Sequence, residues 1–346
     1  RARPCPARGR RAAWPRGPAE AADGPAVAWA SRGRGLAGLR AGPYKAFLLD
    51  MDGVLHRFGQ PVPGAPEFLR HLLAEGVPFV VVTNECRYAR PALRAKLEAA
   101  LGVRLPPGRL FTAADAAGSF FQRTASQGWR GSVYVIGEPG LRESVERALE
   151  PEPGCRVVVG DSDPDVHCDY ICVGTVATGG PNDSWAGAER ASTFLRRGAK
   201  LVYTNPDWYE VTAAGDFKFG CPMPVVELLR QTTGCSAYNL GKPNPFMLRQ
   251  AHAQLLEAAA GPPSEAAPQG AEARPRIGFE DVLFVGDSLD TDVRTAVENG
   301  IDAALVLSGT ATREALRLSA LRPKYTFDDI KALHAALLRG GLLRGG

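Results

Sequence analysis

No stretch of this 346-residue sequence stays apolar over the roughly 18–20 residues that a membrane span needs, so a membrane is not an expected partner. Cysteine lacks any pattern. Cys5, Cys86, Cys155, Cys168, Cys172, Cys221 and Cys235 are odd in number, scattered and without a CxxC pair. Neither a disulfide framework nor a zinc site is expected, and reduced thiols in an intracellular setting are the simple reading. The body of the chain also lacks a positive surplus. The net charge is +4, but residues 1–43 hold nine arginines against Glu20 and Asp23, so the remainder is net negative and nucleic acid is not an expected partner. Finally, no GxGxxG follows the first apolar run, which argues against a dinucleotide-binding oxidoreductase.

What is present divides the chain unevenly. Residues 1–43 are rich in Ala, Arg, Gly and Pro without apolar period. Such a composition cannot bury enough surface to offset chain entropy, so a disordered leader is expected. Its Arg-rich, acid-poor character also makes it a candidate organelle transit segment, which leaves the compartment open between cytoplasm and organelle. From Tyr44 on, apolar runs alternate with helical spacing. The runs at 46–49, 77–82 and 281–286 read as buried strands, and 65–75, 90–101, 224–232, 244–256, 292–298 and 328–338 as helices. Strand, helix, strand, helix predicts an α/β fold with a doubly wound parallel sheet. Between the second and third of these runs lie further strands at 132–137, 156–159, 170–174 and 200–203, with helices at 140–149 and 183–197. They predict a small α/β domain inserted into the first. Residues 258–277 are rich in Ala, Pro, Gly and Glu and are expected to form a disordered loop insertion.

Four segments could carry chemistry, each just after a buried strand or in a turn beside one, where ligands bind in open α/β sheets. The first is Asp50-Met51-Asp52-Gly53. Residues two apart on an extended backbone face the same way, so two carboxylates share one site, and Gly53 permits a sharp turn. A capped turn is the plainer alternative. The second is Thr83-Asn84, where a hydroxyl and free backbone N–H groups could hold a phosphate oxygen, although strand-end Thr is common. The third is Gly241-Lys242-Pro243, a cation in a fixed turn. In the fourth, Asp287, Asp290 and Asp292 crowd three acids into six residues, which repel unless a cation is present; acids at a helix N-terminus are the alternative. Together the four make a phosphoryl-transfer site for a hard cation.

The order DxDGV, Thr-Asn, Gly-Lys-Pro and GDxxxxD resembles the four motifs of the haloacid dehalogenase (HAD) superfamily phosphatases. Residues 133–141 and Asn205-Pro206-Asp207 bring it closest to the subfamily IIA of p-nitrophenyl, phosphoglycolate and pyridoxal phosphate phosphatases. The resemblance covers roughly residues 44–335. It implies a Rossmann-like core (44–111 and 208–338) with an α/β cap domain inserted at 112–207. It further implies hydrolysis of a small phosphorylated metabolite through an aspartyl-phosphate. Asp50 would be the nucleophile and Asp52 the general acid/base, with Thr83 and Lys242 holding the phosphoryl group. Mg²⁺ would be bound by Asp50, Asp287 and the backbone carbonyl of Asp52, with Asp292 supporting it from behind or through water. Gly53 and Asn84 would line the phosphate pocket, and Asn205 and Asp207 would border it where cap meets core. Relatives often dimerise through the cap. Two other readings stay open: a catalytically silent binding protein of the same fold, and a phosphomutase. A dehalogenase is disfavoured by Asp52, because a halide leaves without a proton.

Overall fold

The computed structural model describes residues 44–158, 167–176, 185–260 and 277–340. The expected leader and most of the 258–277 insertion lie outside the described residues. In chain order the elements are β1 (Ala46–Leu49), a ribbon β2–β3 (His56–Arg57 and Gln60–Pro61), α1 (Ala65–Ala74), β4 (Phe79–Thr83), α2 (Arg90–Leu101), β5 (Leu110–Thr112) and α3 (Ala113–Ser126). Then follow β6 (Ser132–Ile136), α4 (Pro139–Leu149), β7 (Arg156–Val158), β8 (Tyr170–Val173), α5 (Trp185–Arg196), β9 (Lys200–Tyr203), a second ribbon β10–β11 (Glu210–Val211 and Phe217–Lys218), α6 (Pro222–Thr233) and β12 (Ala237–Asn239). The chain finishes with α7 (Pro245–Ala260), β13 (Val282–Gly286), a π-type turn over Leu289–Val293 that runs into α8 (Arg294–Glu298), β14 (Asp302–Val306), α9 (Arg313–Leu318), β15 (Tyr325–Phe327) and α10 (Ile330–Gly340).

Two parallel sheets result. The core sheet has the order β15-β14-β13-β1-β4-β5, and the cap sheet β12-β9-β8-β6-β7. Alternation along each central strand explains why both sheets are covered on two sides. Phe47 and Leu49 of β1, Phe79 and Val81 of β4, and Leu283 and Val285 of β13 join α1, α2 and α10 in one buried cluster. Their neighbours Ala46, Leu48, Val80, Val82, Val282 and Phe284 face the other way. They belong to a cluster that takes in α3, α4 and α7 and continues to Val133 and Val135 of the cap. The opposite cap residues, Tyr134 and Ile136, pack with Phe194 and Leu195 of α5 and Val226 and Leu229 of α6. Cap and core thus share one apolar layer.

The expected return to the core at residue 208 is corrected by the pairing. Helix α6 packs in the cap's own cluster, and β12 pairs with β9, so the second sheet keeps the chain until Asn239. Strand β12 is only three residues long and bears no apolar run, which is why it gives no sequence signal. Helix α3 was likewise unforeseen because its buried positions are mostly Ala and Gly. Its start is fixed by a capping box in which Thr112 accepts from the Asp115 amide (3.1 Å) and Asp115 from the Thr112 amide (2.9 Å). Helix α7 continues through Ala260, so residues 258–260 are helical and not part of a loop. Ile277 re-enters buried, its carbonyl accepting from His252 Nε2 at 2.9 Å. Val159 and residues 183–184, expected at element ends, lie outside the described residues. Among those residues no helix is long and apolar enough to cross a membrane, and the six cysteines present are unpaired.

Candidate active site

The chain order of the core sheet reverses between β1 and β13: from β1 it proceeds through β4 to β5 on one side, and from β13 through β14 to β15 on the other. This is the switch point at which a crevice opens beyond the strand ends. Leu49 and Val285 are register partners, and the Asp50 amide donates to the Val285 carbonyl at 2.8 Å. The residues that follow, Asp50 and Asp287, therefore leave the sheet side by side. Thr83 ends the next strand, β4. Lys242 arrives from the segment joining β12 of the cap to α7 of the core. Asp50, Asp52, Gly53, Thr83, Asn84, Asn205, Asp207, Lys242 and Asp287 all line one cavity of about 620 Å³.

At its floor, Lys242 Nζ donates to Asp50 Oδ1 at 2.6 Å and to Asp292 Oδ1 at 2.7 Å. All three side chains are buried, Lys242 being 3 % exposed. Asp292 is tied further, because its Oδ2 accepts from the amides of Asp287 (3.0 Å) and Ser288 (3.1 Å). Asp287 Oδ2 accepts from the Thr310 amide at 2.6 Å. One carboxylate oxygen from each of Asp50, Asp287 and Asp292 lies within 4.8 Å of the others. Three buried carboxylates against one buried ammonium leave negative charge uncompensated. Burial and the neighbouring acids accordingly hold Asp50 well above the usual carboxylate range, with Lys242 pulling it down, and burial with Asp292 pushes Asp287 up to about 7. A divalent cation would remove this excess, and hard oxygen donors at this spacing suit one. Asp292 spends three of its acceptor sites on protein donors, so its part is to hold Lys242 and the Asp287 loop more than to meet the ion directly.

Asp52 stands apart from this cluster. Its carboxylate is 64 % exposed to the cavity and faces His56 Nε2 at 3.4 Å. The enclosing walls push it up to about 6, with Glu85 adding to the rise and Lys242 opposing it; water in the cavity screens that shift. The two motif carboxylates are thus in different states, one buried and bonded to a lysine, the other open to a ligand and to water.

Several expected pocket liners turn out to position other groups. Asn84 lines the cavity, yet its amide clamps the backbone of Lys242, accepting from Lys242 N at 2.8 Å and donating to Lys242 O at 3.2 Å. Asn205 Oδ1 accepts from the Asp207 amide at 3.0 Å, which fixes the turn carrying Asp207. Thr83 Oγ1 accepts from the Glu85 amide at 3.1 Å. Gly53 matters for room: at φ +74° an added Cβ would lie 2.5 Å from Asp287 Oδ2. Gly309, which sequence reasoning missed, crowds the same carboxylate, and a Cβ there would collide with Asp287 Oδ2. The missed signal was the Ser308-Gly309-Thr310 turn after the apolar run of β14. Also missed were Glu85, Arg87 and Glu210, which line the cavity as an ion-paired group, and His56. Gly309→Ala should displace Asp287 and lower divalent-cation affinity at least about tenfold, as a disturbed supporting shell does. Calorimetric titration of the folded variant with Mg²⁺ measures this, and unchanged affinity would separate Gly309 from the cation site.

Comparison with known proteins agrees with this geometry. Residues 47–148 match the family model described as haloacid dehalogenase-like hydrolase, and residues 239–333 match a related HAD-hydrolase-like model. The first match runs on into the cap through β6 and most of α4, and the second begins where β12 ends. The dihydroxyacetone phosphatase of Corynebacterium glutamicum is 30 % identical over 83 % of this chain and 90 % of its own length. The ribonucleotide monophosphatase NagD of Escherichia coli is 26 % identical over 83 % of this chain and 96 % of its own. Among solved structures, the p-nitrophenyl phosphatase of Archaeoglobus fulgidus superposes with a TM-score of 0.67 at 25 % identity, covering 85 % of this chain and 99 % of that one. A reversal of strand order that gathers the four motifs into one crevice, and relatives that align along nearly their whole length, place the chain in the haloacid dehalogenase-like hydrolase family.

Proposed function

We propose that this protein hydrolyses a small phosphate monoester through an aspartyl-phosphate on Asp50, with Mg²⁺ as its cation. The observation that carries the reading is the floor of the cavity: a buried Asp50 bonded to Lys242, beside Asp287 and below an open Asp52. Asp50 attacks phosphorus, the ester P–O bond breaks, and Asp52 gives its proton to the departing alkoxide. Asp52 then takes a proton from water as that water attacks the aspartyl-phosphate, and the Asp50 carboxylate is restored as phosphate leaves. Lys242 and Thr83 neutralise and orient the phosphoryl oxygens. Asp50, Asp287 and the Asp52 carbonyl would hold Mg²⁺, which supplies Lewis-acid charge at the phosphoryl group, with Asp292 in support. Asn84 sets the Lys242 backbone, and Asn205 and Asp207 form the cap side of the pocket. We further propose that two copies pair through the cap, where Trp185 of α5 is 75 % exposed.

The test is phosphate release from p-nitrophenyl phosphate with Mg²⁺ and with excess chelator. Turnover should require the metal and fall by at least about a hundredfold in chelator. A folded protein that binds Mg²⁺ but releases phosphate from none of a panel of small esters would instead be a silent binding protein of this fold.

A further inference from the structure

The cavity walls carry a feature that the hydrolytic steps leave unused. Arg87, on the loop after β4, has its guanidinium fork filled by two carboxylates. Its Nε donates to Glu85 Oε2 at 2.9 Å and its Nη2 to the same oxygen at 2.5 Å, while its Nη1 meets Glu210 Oε1 at 2.9 Å. Glu85 is 6 % exposed and Arg87 28 %, so the pair is held inside the wall. Three parts of the molecule meet here: Glu85 and Arg87 come from the core loop, Glu210 from the β10–β11 ribbon, and the first turn of α4 fixes Arg87 by a bond from the Gly140 amide to its carbonyl (3.0 Å).

The charge balance of the whole lining is one-sided. Glu85, Asp207 and Glu210 join Asp50, Asp52 and Asp287, against Arg57, Arg87 and Lys242. Each of these cations is already engaged by protein: Arg87 as above, Lys242 by Asp50 and Asp292, and Arg57 by the Ser308 carbonyl at 2.9 Å. The phosphoryl group is met by Lys242 and the proposed cation. A second anionic group on the same substrate would have to displace Glu210 from Arg87, stand among carboxylates without compensation, or reach the exposed Arg57, whose charge is met only by a neutral carbonyl and is screened by solvent.

Resting on the phosphatase reading, we infer that the Glu85–Arg87–Glu210 network selects phosphate monoesters of alcohols bearing no negative charge, and rejects those carrying a carboxylate or a second phosphate. Hydroxylated leaving groups can use the carboxylates as hydrogen-bond acceptors, and Tyr209 and Val211 of the ribbon give their carbon skeleton an apolar wall. Charge complementarity of this sort sets specificity more than raw affinity.

The experiment compares kcat/KM for glycerol phosphate with that for phosphoglycolate and for a hexose bisphosphate, using the full chain with Mg²⁺. The neutral-alcohol ester should lead each of the others by about a hundredfold. Glu210→Gln releases the charge on Arg87 Nη1 and should narrow the gap about tenfold, by lowering KM for phosphoglycolate. Asp207→Asn, outside the Arg87 fork, should narrow it less. Rates for the three esters within threefold of one another in the wild type, or a gap that Glu210→Gln leaves unchanged, would overturn the inference while leaving a working phosphatase. Release of phosphate from none of them would overturn the hydrolytic reading itself, and this inference with it.

Discussion

Asp50→Asn should lower kcat by about 10⁴-fold or more while leaving a folded, cation-binding protein. The amide has the shape of the carboxylate but a far weaker nucleophilic oxygen, and it cannot carry the phosphoryl group to the second half of the reaction. Loss of the protein's structure is not expected. Asp50 is buried at the floor of the cavity, where burial itself and the charges of Asp292, Asp287 and Asp52 all oppose its ionised form, with Lys242 alone favouring it. Neutralising it relieves that repulsion, and Lys242 keeps its second partner, Asp292, at 2.7 Å. The melting temperature without metal should therefore stay level or rise, by the trade of stability against activity common at active sites. Phosphate release and thermal melting on the same preparation check both halves. Activity within tenfold of wild type would remove Asp50 as the nucleophile, whatever the melting temperature did.

The sequence made the core sheet legible because its strands are continuous apolar runs ending in chemistry, and buried parallel strands require such runs. Asp50, Thr83 and Asp287 were found for the same reason: each is the polar residue at which an apolar run stops. Lys242 was harder. It follows β12, a strand of three residues that pairs only through its backbone register with β9, and only the flanking Gly241 and Pro243 drew attention to it. Lys242 proves to be the buried cation that joins Asp50 to Asp292. What the sequence could not show is the wall. Glu85, Arg87 and Glu210 are charged residues in loops, indistinguishable in a string of letters from solvated surface, and 123 positions separate Arg87 from Glu210. The pairing exists because the inserted segment, which carries Glu210, folds back onto the core loop that carries Arg87. The cap boundary failed for a related reason, since residues 208–239 lack the long apolar strand that would have tied them to either sheet.

These two classes of residue differ in what holds them. The motif residues are fixed by the sheet: Asp50 by the β1–β13 register, Asp287 by its carbonyl bond to the Ala311 amide (2.9 Å) and by Thr310. A change in the cap loops should leave them in place, whereas one at Gly309, which crowds Asp287, should not. The wall residues depend on the cap being seated, through the Gly140–Arg87 bond and the ribbon that brings Glu210. On the proposed reading, chemistry would rest on the strand ends of the core sheet and discrimination between substrates on the seam where a core loop meets the inserted segment, as in sites placed on strands with specificity placed on loops.

Lys242→Met should show how far the floor depends on its one ammonium, with kcat reduced by about 10³-fold and the metal-free protein destabilised by about 3–5 kcal/mol. Methionine keeps an unbranched apolar stem one atom shorter and removes both the charge and the donors to Asp50 and Asp292. Asp50 and Asp292 would then sit buried beside Asp287 with no cation, and breaking a buried pair from one side costs more than the pair contributed. Mg²⁺ should recover a larger share of stability in the variant than in the wild type, because the ion becomes the only compensating charge. Asp292→Asn placed on top of Lys242→Met should return part of the lost melting temperature without returning activity, since it removes an orphaned carboxylate but supplies nothing to the phosphoryl oxygens. A double-mutant cycle in urea, with kcat measured alongside, resolves the two effects. Full additivity of the two substitutions in stability would mean that the 2.7 Å contact between Lys242 and Asp292 carries no coupling. In that case Asp292 would act only through the Asp287 and Ser288 amides that its other oxygen accepts from, and Lys242 would answer to Asp50 alone.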